Sequence, residues 1–257
     1  MKQFPWARRA LACLALGVLL AGCAGPELHW PFPPSAGRSD AEVVATLRQR
    51  TSGVQSLYAV LNIAFEMPER SGVATLVVRY QEPGTVRMTA FRDMLVMSRD
   101  IFDLVMTPER FDLRIQTDSG VDHQTGKPED LSRLHPSFRF LTALRQAMFL
   151  PGWCESGSSP QVFRTAQAIQ VRTLSPTGYF LEWELDSATL GVRHGRSRLH
   201  DTTVDVEYTS YVEAPGGVFI PERFELHDSE RQMRLTGVLE EVEVNPELDP
   251  DAFRWQD

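Results

Sequence analysis

The sequence is poor in cysteine, in clustered bases and in long apolar runs. Three cysteines stand in 257 residues, which excludes a disulfide framework and a multi-cysteine zinc site. No basic tract follows residue 9. With the three bases of the first 22 residues set aside, 23 basic side chains face 34 acidic ones, a net charge of −11. Phosphate contacts need clustered Lys and Arg, so nucleic acid is not an expected partner. Catalytic signatures are also missing. The six histidines (His29, His123, His135, His194, His200 and His227) form no HExxH arrangement and none adjoins a cysteine pair. No GxSxG surrounds a serine, and no glycine loop is built to cradle phosphate. Asp118, Asp122 and His123 lack the dense oxygen spacing of a calcium site and read as a polar loop. The remaining acids are scattered along hairpins, so the chain is not expected to be an enzyme, and no metal or cofactor is expected.

What is present begins at the N-terminus. Lys2, Arg8 and Arg9 precede an apolar run from Ala10 to Ala21, about 12 residues against the 20 or so that span a bilayer. This is the pattern of a secretory signal peptide over residues 1–22. Leu20-Ala21-Gly22-Cys23 resembles a bacterial lipobox, whose cysteine becomes an acylated first residue. An acyl anchor contributes about 0.8 kcal/mol per buried CH₂. Ala24, not Asp, follows, which by resemblance to the enterobacterial sorting rule favours the outer membrane, with the domain facing the periplasm. Residues 23–38, with four of the 17 prolines, read as an extended tether. Cys154 remains as a lone ordinary thiol, read as buried and inert.

Residues 39–257 read as one domain. Ser39 to Glu42 is a capping box that opens a helix over about 40–52, with Ala41, Val44, Leu47 and Arg48 at helical spacing and Gly53 as its stop. From Leu57 the period becomes two, and eleven strands are expected: 57–66, 73–81, 85–91, 101–106, 110–117, 168–173, 178–185, 189–199, 203–212, 218–227 and 232–244. A second, very apolar helix is expected after Pro136, with Phe138, Leu141, Leu144, Ala147 and Met148 on its face. Residues 116–132 are polar and turn-rich and read as a loop. The expected fold is mainly β (α+β): a single curved antiparallel sheet of about eleven strands forming a half-open barrel, with two or three helices over its concave face.

An incompletely closed barrel leaves an apolar inner face that accepts acyl chains. Candidate lining residues are Leu61, Ile63, Phe65, Val77, Met88, Phe138, Leu141, Met148 and Trp183; the other reading of each is ordinary core packing. Met94-Leu95-Val96-Met97 stands where a hairpin tip belongs, with no Gly or Pro. Such exposed apolar tips mark membrane or partner contact, unless the residues tuck into the core as strand ends.

Several strings resemble the LolA and LolB class of outer-membrane lipoprotein-sorting proteins. They are Leu57-Tyr58-Ala59-Val60-Leu61 after the first helix, Val86 to Phe91 leading to Arg92-Asp93-Met94-Leu95, Ile101 to Phe111 with its Phe102-Asp103-Leu104, Phe219 to Phe224, and Val244 to Phe253. The resemblance spans about residues 40–255 as pattern, not identity, and Val96 stands where the family has a glycine. It implies a half-closed sheet that holds acyl chains, and an apolar loop after the third strand, here Met94 to Met97, that touches the membrane during delivery. The implied function is an anchored lipoprotein that binds acyl chains of lipoproteins or lipids in its concavity and passes them to the membrane. Its partners would be those acyl chains, the membrane through Cys23, and a periplasmic carrier protein; a monomer is expected. The alternative is a structural lipoprotein of an envelope complex, its barrel filled by its own side chains.

Overall fold

The computed structural model describes residues 37–254, apart from 69, 94–97, 118, 135–159, 166–167, 175–179, 200–201, 229 and 231. Helix α1 (Asp40–Ser52) leads into six strands: β1 (Ser56–Met67), β2 (Arg70–Gln81), β3 (Thr85–Asp93), β4 (Ser98–Met106), β5 (Phe111–Thr117) and β6 (Gly120–Gly126). A one-turn helix α2 (Leu131–Leu134) follows. Seven more strands complete the sheet: β7 (Gln161–Arg164), β8 (Ala168–Leu174), β9 (Phe180–Asp186), β10 (Val192–Leu199), β11 (Thr202–Ala214), β12 (Val218–Asp228) and β13 (Met233–Val244).

All thirteen strands belong to one antiparallel sheet in the order β6-β5-β4-β3-β2-β1-β13-β12-β11-β10-β9-β8-β7. Two meanders meet at the pairing of the first strand with the last, Leu57 opposite Val244 through Glu66 opposite Arg234. Sequential hairpins are short-range pairings, and among the described strand pairings only the β1–β13 seam joins distant parts of the chain. The sheet ends at β6 and β7, so the barrel is open there. The mainly-β, half-open expectation therefore holds, with thirteen strands in place of eleven. The two added strands are the edges. β6 falls inside the polar stretch 116–132 expected to be a loop; five of its seven residues are exposed and among the described strands it pairs only with β5. An edge strand with both faces in water carries no apolar alternation, so periodicity could not mark it. β7 has four residues and three of them are exposed. Of the two or three helices expected, α1 is the one of several turns among the described residues; the helix expected after Pro136 lies outside them.

Helix α1 starts where its capping box predicts. Ser39 N and Oγ donate to Glu42 Oε2 at 2.6 and 2.7 Å, and Glu42 N donates back to Ser39 Oγ at 3.4 Å. The backbone N–H and then the hydroxyl of Ser39 hold the Glu42 carboxyl below its usual range. The inward row differs from the expected one. Val43, Leu47 and half-buried Arg50 face the sheet, whereas Ala41 and Arg48 are exposed. Arg50 donates to the carbonyls of Leu190 and Thr189 at 2.7 and 2.9 Å and lies over the Phe219 ring at 5.8 Å. Burial pushes its guanidinium down to about 10, still cationic at neutral pH.

One apolar face runs through both meanders. It includes Leu57, Ala59, Leu61 and Ile63 on β1, Leu76 and Val78 on β2, Met88 on β3, Leu104 on β4, Leu113 on β5, Trp183 on β9 and Leu226 on β12. A bulge in β11 around Ser210 shifts the strand's phase, so that both Tyr208 and Tyr211 point inward. The opposite face is charged, with cross-strand pairs Arg172–Glu182, Arg196–Asp205 (2.7 Å) and Arg234–Glu225 (2.7 Å). The C-terminal turn of Pro250–Phe253 docks against β3. Arg87 grips Asp103 at 3.0 and 2.6 Å and donates to the carbonyls of Ala252 and Arg254 at 2.8 and 3.2 Å.

Candidate functional site

The candidate site is the apolar face of the open sheet. Of its expected lining, Leu61 and Met88 are wholly buried there, with Ile63 and Trp183 nearly so. Phe65 continues the Leu61–Ile63 row and is half-buried. Val77 lies between inward-facing Leu76 and Val78, so alternation places it on the other face, half-buried. Phe138, Leu141, Met148, the tip Met94 to Met97, and Cys23 lie outside the described residues.

Strand glycines shape this face. Each of four sits directly opposite an aromatic residue: Gly72 opposite Phe65, Gly126 opposite Phe111, Gly195 opposite Trp183 and Gly237 opposite Phe224. In every case the ring occupies the place a Cβ would take. A methyl on Gly72 would stand 2.8 Å from Phe65 Cζ, and one on Gly126 2.9 Å from Phe111 Cε1. One on Gly195 would overlap the Cζ3–Cε3 edge of Trp183, and one on Gly237 the Phe224 ring. Each ring thus lies along the sheet over its glycine and takes less of the enclosed space than one standing upright.

An aromatic row crosses the second meander. The rings of Trp183 and Tyr208 are 6.3 Å apart and those of Tyr208 and Tyr211 are 5.7 Å apart. Both phenols are buried, and burial pushes both well above the usual tyrosine range. Tyr211 donates its hydroxyl proton to the Val192 carbonyl at 2.9 Å. The indole N–H of Trp183 is buried and has no hydrogen-bond partner. Tyr208, Tyr211, Phe224 and the four glycines were not among the candidates read from the sequence. Their types were visible there, but the pairings depend on register.

The polar groups elsewhere are engaged with one another. His123 Nε2 lies 2.7 Å from Asp112 Oδ1, and Arg110 also reaches Asp112. Asp122 accepts from Gln124 at 3.1 and 3.3 Å. Among the described residues no group of three or more His, Cys, Asp or Glu could hold a metal, and no helix is long and apolar enough to cross a membrane. The arrangement is a continuous, buried apolar face, and the described residues display no cluster of polar groups converging on it.

No family model matches the sequence, and no curated relative matches it. Solved structures do match in shape. A LolA superfamily protein from Nitrosomonas europaea superposes with a TM-score of 0.56 at 9% identity, over 82% of this chain and 97% of its own. A putative outer membrane lipoprotein-sorting protein domain from Vibrio parahaemolyticus gives 0.54 at 9% identity, over 83% and 95%. A DUF1329 family protein from Desulfovibrio piger gives 0.55 at 8% identity, over 83% and 95%. In fold, the chain is similar to the LolA superfamily and to an outer-membrane lipoprotein-sorting domain.

Proposed function

We propose that this chain is a lipoprotein anchored to the outer membrane through acylated Cys23. In this reading residues 1–22 are its signal peptide, residues 23–38 its tether, and the half-barrel from residue 39 faces the periplasm. The half-barrel binds the acyl chains of lipoproteins or lipids and passes them to the membrane. It acts without covalent chemistry: an acyl chain moves from one apolar environment to another, and about 0.8 kcal/mol per CH₂ sets the exchange. The tip at Met94 to Met97 is the contact with the membrane, and a periplasmic carrier protein delivers the cargo to this monomer. The observation that carries the reading is one apolar face, continuous across both meanders, on a sheet left open between β6 and β7. The fold shared with a lipoprotein-sorting domain supports it.

The complete burial of Leu61, Leu76 and Met88 favours a second reading, a barrel filled by its own side chains that serves as a scaffold in an envelope complex. The test is to purify the full chain under native conditions, identify co-purifying lipid by mass spectrometry, and titrate the delipidated protein with a fluorescent fatty acid. Stoichiometric, displaceable lipid is the expected result. No bound lipid and no probe uptake would leave the scaffold reading in its place.

A further inference from the structure

Among the described residues, the indole N–H of Trp183 is a polar group on the apolar face that the fold leaves without a partner. Trp183 is 3% exposed, and its Nε1 is buried without a partner. A buried donor left unpaired is costly, and native interiors rarely keep one without a reason. The side chain could turn its polar edge outward only by lifting off the sheet. Its Cζ3–Cε3 edge is seated over Gly195, against Val206 of β11. In an indole, Nε1 lies on the edge opposite Cζ3 and Cε3. The seat at Gly195 therefore presents the N–H away from that contact, within the buried interior. The glycine and the bare N–H belong together: the first fixes the ring, and the fixed ring holds the second.

We propose that Trp183 Nε1 is the polar anchor of an acyl ligand, donating a hydrogen bond to the neutral carbonyl of its ester or amide group. This rests on the acyl-binding reading above and adds to it the chemical class of the ligand's head. A buried water fits the site poorly, because it needs two to four polar partners. The neighbours of Trp183 on this face are apolar Val171, Leu181, Leu185 and Val206, with Tyr208, its ring centroid 6.3 Å away, the one that carries a polar group. A free fatty-acid carboxylate fits poorly as well, since one neutral donor does not offset the desolvation of a charge. An ester carbonyl carries no charge and needs one donor. An unpartnered N–H set mostly among apolar side chains supplies that, and those side chains receive the chain.

The experiment compares methyl palmitate with 1-methoxyhexadecane, an analogue of similar length that lacks the carbonyl. Each displaces a fluorescent fatty-acid methyl ester from the delipidated full chain, wild type and Trp183→Phe. The wild type should prefer the ester by about tenfold, the value of one buried hydrogen bond. Trp183→Phe should bind both ligands and lose the preference. A second readout needs no variant: the indole N–H proton resonance should move downfield with the ester and stay in place with the ether. Equal affinity of the wild type for the two, an unmoved resonance, or a preference that survives in Trp183→Phe would overturn the anchor while leaving acyl binding intact. Failure of both ligands to displace the probe would bring down the acyl-binding reading itself. A triacylated cysteine peptide and phosphatidylethanolamine, run as competitors, identify whether lipoprotein or phospholipid supplies the ester; tight, Trp183-dependent binding of either supports the anchor.

Discussion

Gly195 and Gly53 make opposite demands on a methyl group. At Gly195 the added carbon would meet Trp183 and Val206, while at Gly53, just past α1, nothing lies within 4 Å. Gly195→Ala should therefore destabilise the protein by about 1–3 kcal/mol, as overpacked cores do, and shift the tryptophan emission. Gly53→Ala should stay within about 0.5 kcal/mol of the parent. Urea unfolding followed by fluorescence checks both, and a silent Gly195→Ala would mean that the indole is not held by its glycine. Asn245 is a second residue with a demanding place. At φ 58° it lies in the left-handed region, where Asn is tolerated far better than most side chains. Its Oδ1 accepts from the N–H groups of Gln55 and Ser56 at 2.7 and 3.2 Å, and its Nδ2 donates to the Gly53 carbonyl at 2.8 Å. One side chain thus closes the junction between α1, β1 and the end of β13. Asn245→Ala loses all three bonds and should cost about 2–4 kcal/mol in the same urea assay; Asn245→Gly, which keeps the backbone freedom, should cost less. Neither role could be read from the sequence. Gly195 sits in a polar run and Asn245 precedes a proline, where a turn residue is commonplace. What sets them apart is their partner across the sheet, about 12 residues away for one and 190 for the other.

At the scale of elements, the sequence is readable where one face is buried and silent where neither is. β1, β2 and β9 alternate because their inner residues are dry, and the period of two found them. α1 was readable from its capping box, although its buried row was misjudged: Arg50, not an aliphatic residue, ends the row, since its stem covers apolar surface while its charge reaches two carbonyls. β6 and β7 were missed because edges carry no such pattern. The tail was legible only as the string Val244 to Phe253, yet Arg87, paired with Asp103, binds it to the outer face of β3. Both side chains are less than one-fifth exposed, so the pair is screened less than a surface ion pair. Asp103→Ala removes the partner of Arg87 and an acceptor for Thr89, and should destabilise by about 2–3 kcal/mol. Amide exchange should quicken in 250–254 and in β3 while β12 stays protected. Uniform loss of protection across both meanders would show that the clasp is not local.

For the whole molecule, the buried aromatic row ties stability to alkaline pH. Tyr208 and Tyr211 are held neutral by burial, with pKa values raised well above 10. An unfolded tyrosine ionises near 10. Below that pH both states carry the proton and the full stability is present. Above it the unfolded chain releases protons that the fold retains, so stability falls by about 1.4 kcal/mol per pH unit for each tyrosine until the folded pKa is passed. Beyond 10 Arg50 offsets about one tyrosine, because the fold gives up its proton earlier than the unfolded chain does. Unfolding midpoints should therefore be flat in pH near 9 and fall beyond 10 with the slope of about one tyrosine, which Tyr208→Phe should largely remove; an unchanged slope would mean that the ring is not kept neutral by the fold. The proposed delivery makes a separate demand, on residues 94–97 between β3 and β4. Met94 to Met97, outside the described residues, are four apolar residues in a row in the sequence, between the paired strands β3 and β4. If the tip dips into a bilayer, a charge there opposes insertion by roughly 1–3 kcal/mol near the interface, yet leaves the acyl-binding face untouched. Leu95→Glu should therefore bind a fluorescent fatty acid as the parent does and slow its transfer to liposomes at least tenfold. Unchanged transfer would remove the tip from the mechanism, whereas loss of both binding and transfer would show that Leu95 belongs to the apolar face.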